Sequence, residues 1–173
     1  MGCRRLNGST VAIERLGRDL TSQRDLFLLE VQTPAQVPSD LDLVGTRFVC
    51  LLAWDAGTTG AEEIAAFAQT LITAGAVYIA AWGADCGRVH DICDEVVVGS
   101  DPPATELGPI MTTCHEKEDL AEAIGFVLQC AVPDQAFQIG CDSTLAITIG
   151  SREWAAEIRR AFSDPGTFVR EHV

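Results

Sequence analysis

The stretch RFVCLLAW, residues 47–54, decides the fold because it is an almost unbroken apolar run of strand length. A strand that is covered on both faces by helices shows such a run, whereas a half-exposed strand alternates apolar and polar residues. Residues 77–82, VYIAAW, repeat the pattern. Between the two runs, residues 64–72 carry apolar side chains at helical spacing. The order strand, helix, strand predicts parallel neighbours, with residues 47–54 at the centre of the sheet.

Working outward from this centre, further strand-like runs alternate with helical ones. Residues 26–31 form either an edge strand or part of an N-terminal appendage, and shorter strands are expected at residues 96–98, 110–112 and 145–149. The alternation predicts a single three-layer, doubly wound α/β domain with a mostly parallel sheet of five or six strands. We assign residues 41–173 to this domain, while the packing of residues 1–40 stays open.

Several helix starts are predicted from residues that satisfy free backbone amides at a helix N-terminus. They are the capping boxes Thr59 with Glu62 and Thr113 with Glu116, and single caps at Asp85 and Ser151. The helix that follows Asp85 is expected to be short, ending near Cys93.

The amino-acid composition limits the classes of molecule that the chain is expected to bind. The chain has 12 basic and 25 acidic residues, so its net charge of -13 repels nucleic acid and anionic membrane surfaces. No apolar run approaches the roughly 20 residues of a membrane-spanning helix. Seven cysteines, several inside apolar runs and without an apolar leader near the start, favour a reduced cytoplasmic protein. The expected partner is a small molecule or a protein, and a homodimer is left open.

Polar and reactive residues gather directly after the predicted strands. Since the carboxyl ends of parallel strands form one rim, and open α/β sheets bind ligands there, we expect these side chains to form a binding site. The candidates are Asp55, Trp82, Asp85, Cys86, His90, Asp91 and His115. Trp54 and Trp82 end neighbouring runs and are predicted to line one pocket with them.

Two arrangements of cysteine and histidine raise the alternative of a thiol- or metal-assisted hydrolase or transferase. Cys86, His90 and Cys93 are spaced four and seven residues apart, so they share one helix face as metal ligands would. The buried side of a short helix gives the same spacing, and packing is the favoured interpretation. Cys114 is predicted at a helix start, which would favour its thiolate, with His90 a better placed base than the adjacent His115.

The loop DAGTTG, residues 55–60, resembles the phosphate loop of flavodoxins. The resemblance implies flavin or nucleotide binding, with Trp82 stacked on the ring system. Asp55 at the mouth of the loop would repel a phosphate, however, and the loop has no lysine. A structural turn is favoured, and no cofactor is predicted.

Residues 78–95 and 112–116 carry the pattern Trp-Gly-x-x-Cys-x-x-x-His-Asp, at residues 82–91, and the sequence Thr-Thr-Cys-His-Glu. Over residues 47–135 the chain resembles a bacterial family of small α/β domains of unknown function. That resemblance supports a site at Trp82, Asp85, Cys86, His90 and Asp91. In the family the position of Cys114 is commonly aromatic, which weighs against a nucleophile there. Because no catalytic set is complete, the leading hypothesis is a non-catalytic binding or accessory domain.

Overall fold

The computed structural model describes residues 11–99 and 108–172 of the chain. The strands of this part are β1 (Ile13–Arg18), β2 (Asp25–Val31), β3 (Arg47–Trp54), β4 (Ala76–Trp82), β5 (Met111–Cys114) and β6 (Cys141–Ile149). The helices are α1 (Ala61–Thr73), α2 (Cys86–Gly99), α3 (Leu120–Gln129), α4 (Gln135–Gln138), α5 (Arg152–Ser163) and α6 (Pro165–His172). A 3-10 turn covers Pro34–Gln36.

The six strands form one sheet in the order β1-β2-β6-β3-β4-β5. Only β1 runs antiparallel to its neighbour, and the other four pairings are parallel. The predicted fold class, a single α/β domain with a mostly parallel sheet, is therefore confirmed. Strand β3 lies inside the sheet between β6 and β4, as its apolar sequence predicts. Residues 13–31, from the segment whose packing the sequence leaves open, supply the two strands at one edge.

The layers follow from the alternation of side chains along β3. Cys50 and Leu52 belong to the core beneath α1 and α2, whereas Val49 and Leu51 belong to the core on the opposite face. Helices α3 and α5 cover that second face, and α4 and α6 add Phe137 and Phe168 to it. Both faces of the sheet are thus covered, which gives three layers.

The predicted strand at residues 96–98 is wrong, because these residues continue helix α2 to Gly99. The exposure of their side chains changes from one residue to the next as it does on a helix with one packed face: Val97 is buried, while Val98 is 78% exposed. Three consecutive valines are typical of a strand, but the helical stripe set by Val89, Ile92 and Cys93 continues through Val97. Helix packing here outweighs the β-propensity of valine.

Two predicted capping boxes are also wrong. Helix α1 begins one residue later than expected, with Gly60 as its N-cap and no side-chain cap. Helix α3 begins at Leu120, where Asp119 and Glu122 form the capping box in place of Thr113 and Glu116. The predicted cap of α5 is confirmed, since the Ser151 hydroxyl accepts a hydrogen bond from the Trp154 amide.

The strand order reverses direction next to β3. The chain places β4 and β5 successively on one side of β3, and then returns across the sheet to place β6 on the other side. A crevice outside the carboxyl ends of the strands is expected at such a reversal, here between β3 and β6. Within residues 11–99 and 108–172, no helix combines the length and apolar character that crossing a bilayer requires.

Candidate ligand-binding site at the carboxyl edge of the sheet

A cavity of about 360 Å³ lies at the carboxyl ends of the parallel strands. Its lining residues come from the segments after β3, β4 and β5 and from the first turn of α5. They are Asp55, Trp82, Gly83, Ala84, Asp85, His115, Glu116, Glu118 and Trp154. The structure therefore brings together four of the predicted residues, Asp55, Trp82, Asp85 and His115. Asp55 follows β3 and Trp154 follows β6, so the cavity lies at the reversal of strand order.

The loop after β4 turns sharply because two of its residues adopt left-handed backbone conformations. Gly83 has φ 116°, and a Cβ atom there would lie 2.3 Å from the carbonyl oxygen of Trp54. Asp85 has φ 64°, a conformation that aspartate tolerates better than most residues. Its carboxylate pairs with Arg88 at 2.6 Å, so it does not serve the helix amides as the predicted cap would. The Gly83 contact brings the β4 loop directly against the end of β3.

His115 is held rigidly at the floor of the cavity. Its side chain is buried, its Nδ1 lies 2.7 Å from Glu118 Oε2, and its Nε2 lies 3.1 Å from the Thr113 hydroxyl. The ring also packs on Phe126, with 4.5 Å between ring centroids. When Nδ1 carries the proton of the neutral ring, it donates to the carboxylate while Nε2 accepts from the hydroxyl. Both ring nitrogens are therefore engaged within the protein.

Two tryptophans form the apolar wall of the cavity. Trp82 and Trp154 meet edge to face, with ring centroids 5.2 Å apart, and the Trp82 indole N–H donates to the Glu118 carbonyl oxygen at 2.9 Å. Trp54 is not part of this wall, contrary to the prediction. Ala53, not Trp54, pairs with Trp82 across the sheet, so the two tryptophan side chains point to opposite faces. Trp54 packs against Phe67 under helix α1.

The cavity lining is strongly acidic. Four carboxylates line it, from Asp55, Asp85, Glu116 and Glu118, and among residues 11–99 and 108–172 no lysine or arginine joins this lining. Arg88 compensates one of these charges from behind Asp85 and is itself fixed, because it also donates to the Ala56 and Thr59 carbonyl oxygens. With one arginine against four carboxylates, the field in the cavity favours cations.

His90 and Asp91 lie apart from this cavity, on the flank of α2. His90 Nδ1 is 3.2 Å from Asp91, and its Nε2 is 3.8 Å from the carboxylate of Asp94. Asp94 in turn accepts a hydrogen bond from the Thr112 hydroxyl of β5. The structure thus divides the predicted site residues between the rim cavity and a small polar cluster between α2 and β5, and leaves Cys86 buried against Cys114 at the start of α2.

The cysteines do not assemble the arrangements proposed from their spacing. Among residues 11–99 and 108–172, no three histidine, cysteine, aspartate or glutamate side chains are grouped so that they could hold a metal ion together. Cys114 ends strand β5 six residues before α3 begins, so the predicted helix start that would favour its thiolate is wrong. Cys86 does begin a helix, but burial, together with contact with Cys114, raises the pKa of its thiol to about 12.

Three backbone amides of the loop at residues 55–60 already donate hydrogen bonds within the protein. The Gly57 amide donates to the Asp55 carboxylate, the Ala56 amide to the Ala84 carbonyl oxygen, and the Thr59 amide to the Ala56 carbonyl oxygen. A phosphate cradle needs free amides that converge on one point. The loop is therefore organised as a turn that holds Asp55 and the β4 loop together.

A second cavity, of about 300 Å³, lies at the opposite end of the sheet, beside Arg24 and Cys141. Arg24 is buried and donates to the carbonyl oxygens of Val127 and Ala131 at the end of α3. A cation at this position complements the negative end of a helix dipole. We assign Arg24 this capping role, and burial lowers the pKa of its guanidinium.

Besides Gly83 and Ala84, three lining residues with acidic or aromatic side chains were missed by sequence reasoning: Glu116, Glu118 and Trp154. Glu116 is predicted only as part of a capping box, and neither Glu118 nor Trp154 directly follows a predicted strand. The position of Trp154 at the rim follows from the strand order, because β6 inserts beside β3 and brings the start of α5 to the rim.

Comparison with known proteins gives one result. No curated protein and no solved structure matches the chain. The model of one protein family, described as a domain of unknown function (DUF7684), matches residues 26–165. The match covers most of the chain, from β2 to the start of α6, and confirms the expected membership of an uncharacterised family. The chain belongs to the DUF7684 family of domains of unknown function.

Proposed function

We propose that this domain is a non-catalytic binding module that takes a cationic group, an alkylammonium or a guanidinium, in the rim cavity. The observation that carries the proposal is the combination of two tryptophan rings with four carboxylates in one cavity, to which the described part of the chain contributes no lysine or arginine. The ligand is a small amine or the basic side chain of a protein partner, and both share this chemistry.

Two attractive forces act on a cation in such a cavity. Carboxylates attract it directly, and the faces of the indole rings attract it through their quadrupole, which is worth about 0.5–2 kcal/mol per ring. Trp82 and Trp154 both line the cavity, and their ring planes are nearly perpendicular, at 88°. An anionic ligand would face repulsion from Asp55, Glu116 and Glu118.

The size of the cavity suits a small guest. A volume of about 360 Å³ is at the lower end of the range of ligand pockets. That volume accommodates the end of a lysine or arginine side chain, or a small polyamine. The molecule also has a net charge of -13, which steers cations toward its surface from a distance.

The arrangement of His115 favours binding over catalysis. A general base must present a free nitrogen to its substrate. His115 instead has both ring nitrogens engaged, by Glu118 and Thr113, and the residue is 5% exposed. Its contacts hold Glu118 in place, and the carbonyl oxygen of Glu118 accepts the hydrogen bond from the Trp82 indole. We therefore assign His115 a positioning role.

The test is a titration with four probes of similar shape and different charge: butylammonium, butylguanidinium, butanol and butyrate. Ligand-observed NMR on the full chain at neutral pH suits the near-millimolar Kd values expected for so few heavy atoms. We expect both cations to bind and the alcohol and the anion not to. Equal binding of all four probes, or of none, contradicts the proposal.

Variants of the lining residues, each compared with a control, test whether the cation binds in the rim cavity. Trp154→Leu removes one aromatic wall and should weaken cation binding about three- to tenfold, and Glu116→Gln should weaken it about two- to fivefold. Asp142→Asn is the control, because it removes an equal charge from an exposed residue at the amino end of β6, away from the rim. Equal losses in Asp142→Asn and Glu116→Gln would show that only the overall charge matters, and would refute a specific site.

A further inference from the structure

Cys86 and Cys114 bring their sulfur atoms within 2.9 Å of each other. Cys86 is the first residue of α2 and Cys114 is the last residue of β5, so neighbouring elements of the fold hold the pair together. A disulfide bond is about 2.05 Å long, so small side-chain rotations bring the sulfurs to bonding distance.

The two thiols differ in access to solvent. Cys86 is 1% exposed, whereas Cys114 is partly exposed. A small reagent in solution therefore reaches the Cys114 sulfur first. Burial and the neighbouring Cys114 raise the pKa of Cys86 to about 12, so Cys86 is a thiol at neutral pH and reacts poorly with external reagents.

We propose that Cys86 and Cys114 are a redox-active pair that forms a reversible intrachain disulfide by exchange with a low-molecular-weight disulfide. Cys114 is the attacking thiol and Cys86 the resolving thiol. The site is distinct from the cavity proposed to bind cations, and it does not depend on that function.

The reaction consists of two exchange steps. In the first, the Cys114 thiolate attacks one sulfur of the small disulfide, an S–S bond forms between them, and one small thiolate departs. In the second, the Cys86 sulfur attacks the Cys114 sulfur of this mixed disulfide. The second small thiolate departs and takes up the proton of Cys86. The two cysteines are oxidised by two electrons, and the small disulfide is reduced to two thiols.

The surroundings of the pair favour the second step. The reacting sulfurs are already adjacent, so the step is intramolecular between oriented groups. Cys50 and Cys93 do not compete for the small disulfide, because both are buried, 0% and 2% exposed. Among the described cysteines, only Cys130 has an exposed side chain, and it provides a reference for simple surface modification.

The test uses the full chain, reduced and then equilibrated in mixtures of reduced and oxidised glutathione. Free thiols are blocked with N-ethylmaleimide, and the protein is unfolded and digested with a protease that cleaves before aspartate. This cleavage leaves Cys86 in residues 85–90, Cys93 in residues 91–93 and Cys114 in residues 101–118, each in its own peptide. We expect residues 85–90 linked to residues 101–118. Two blocked thiols at these positions, or links between other cysteines, would overturn the proposal.

Three single variants separate the two steps. Cys86→Ser should retain glutathione on Cys114, because the resolving thiol is absent. Cys114→Ser should leave Cys86 free, and the control Cys130→Ser should form the same link as the wild type. A free Cys114 in Cys86→Ser would contradict the assigned order of attack. The peptide map of the unaltered chain decides the proposal even where a variant folds poorly.

Discussion

Gly83 connects the core of the domain to its rim. The residue follows β4 with φ 116°, and its α-carbon faces the backbone of Trp54 so closely that no side chain fits. The left-handed conformation is available to glycine at little cost and to other residues at about 1–3 kcal/mol. Because the next residues carry Asp85 and then Cys86, the position of Gly83 sets both the cavity and the thiol pair.

We therefore expect Gly83→Ala to lower the free energy of unfolding by about 2–4 kcal/mol, through backbone strain and overlap with the Trp54 carbonyl oxygen. Urea unfolding followed by circular dichroism measures the change. Gly99→Ala is the control, since a Cβ there meets no atom within 4 Å and its φ lies outside the left-handed region. A Gly83→Ala protein as stable as Gly99→Ala would show that the β4 loop is not constrained in this way.

At the same scale, the tryptophans show where sequence reasoning on the site succeeds and where it fails. Trp82 was expected at the rim and lies there, because a residue that ends a parallel strand must emerge at the carboxyl edge. Its partner was not predictable in the same way. Whether Trp54 or Trp154 faces Trp82 depends on the register of β3 with β4, which pairs Ala53 with Trp82. When both faces of a strand are buried, its apolar run does not indicate the register in which it pairs with its neighbour.

Among the helices, α3 shows how a local signal misleads when two candidates lie close together. Thr113 with Glu116 and Asp119 with Glu122 both have capping-box spacing, six residues apart. Strand pairing decides between them: residues 111–114 pair with β4, which removes Thr113 from any helix and leaves Asp119 to start it. The carboxylate of Asp119 accepts from the Glu122 amide at 2.8 Å, and Glu122 bonds back to the Asp119 amide.

We expect Asp119→Ala to lower the free energy of unfolding by about 1 kcal/mol, the usual cost of losing an N-cap. Thermal or urea unfolding of the variant measures this. Glu116→Gln is the matched comparison, because it changes the alternative capping box and should leave stability within about 0.5 kcal/mol of the wild type. A reversed order of the two variants would place the start of the helix at Thr113.

The strand order, too, was only partly accessible from the sequence. Alternation of strands and helices predicted the parallel sheet. The central place of β3 was predicted because a continuous apolar run indicates a strand that is buried on both faces. Nothing local indicates that β6 returns beside β3. This long-range pairing brings α5 and Trp154 to the rim, and for that reason the cavity could be predicted only from its β3, β4 and β5 sides.

For the molecule as a whole, the buried thiols make stability depend on alkaline pH. Burial raises the pKa of Cys50, Cys86, Cys93 and Cys141 in the folded state, to about 12 for Cys86 and Cys93. In the unfolded chain a thiol has a pKa of about 8.5. Below pH 8.5 the thiols are protonated in both states, so their stabilising contribution is fully present. Above it the unfolded state releases protons that the folded state keeps, and stability falls until the folded pKa is reached.

We expect the free energy of unfolding under reducing conditions to be about 4 kcal/mol lower at pH 9.5 than at pH 7.5, or about 1 kcal/mol for each of the four buried thiols. This chain suits the measurement because it contains one tyrosine and one lysine, so few other groups titrate between these values. Urea unfolding at both pH values, with a phosphine reductant to exclude disulfides, gives the difference. Cys93→Ala should reduce the loss by about a quarter, whereas Cys130→Ser, at an exposed thiol, should not change it. A stability that is constant over this range would contradict the protonated state assigned to the buried thiols.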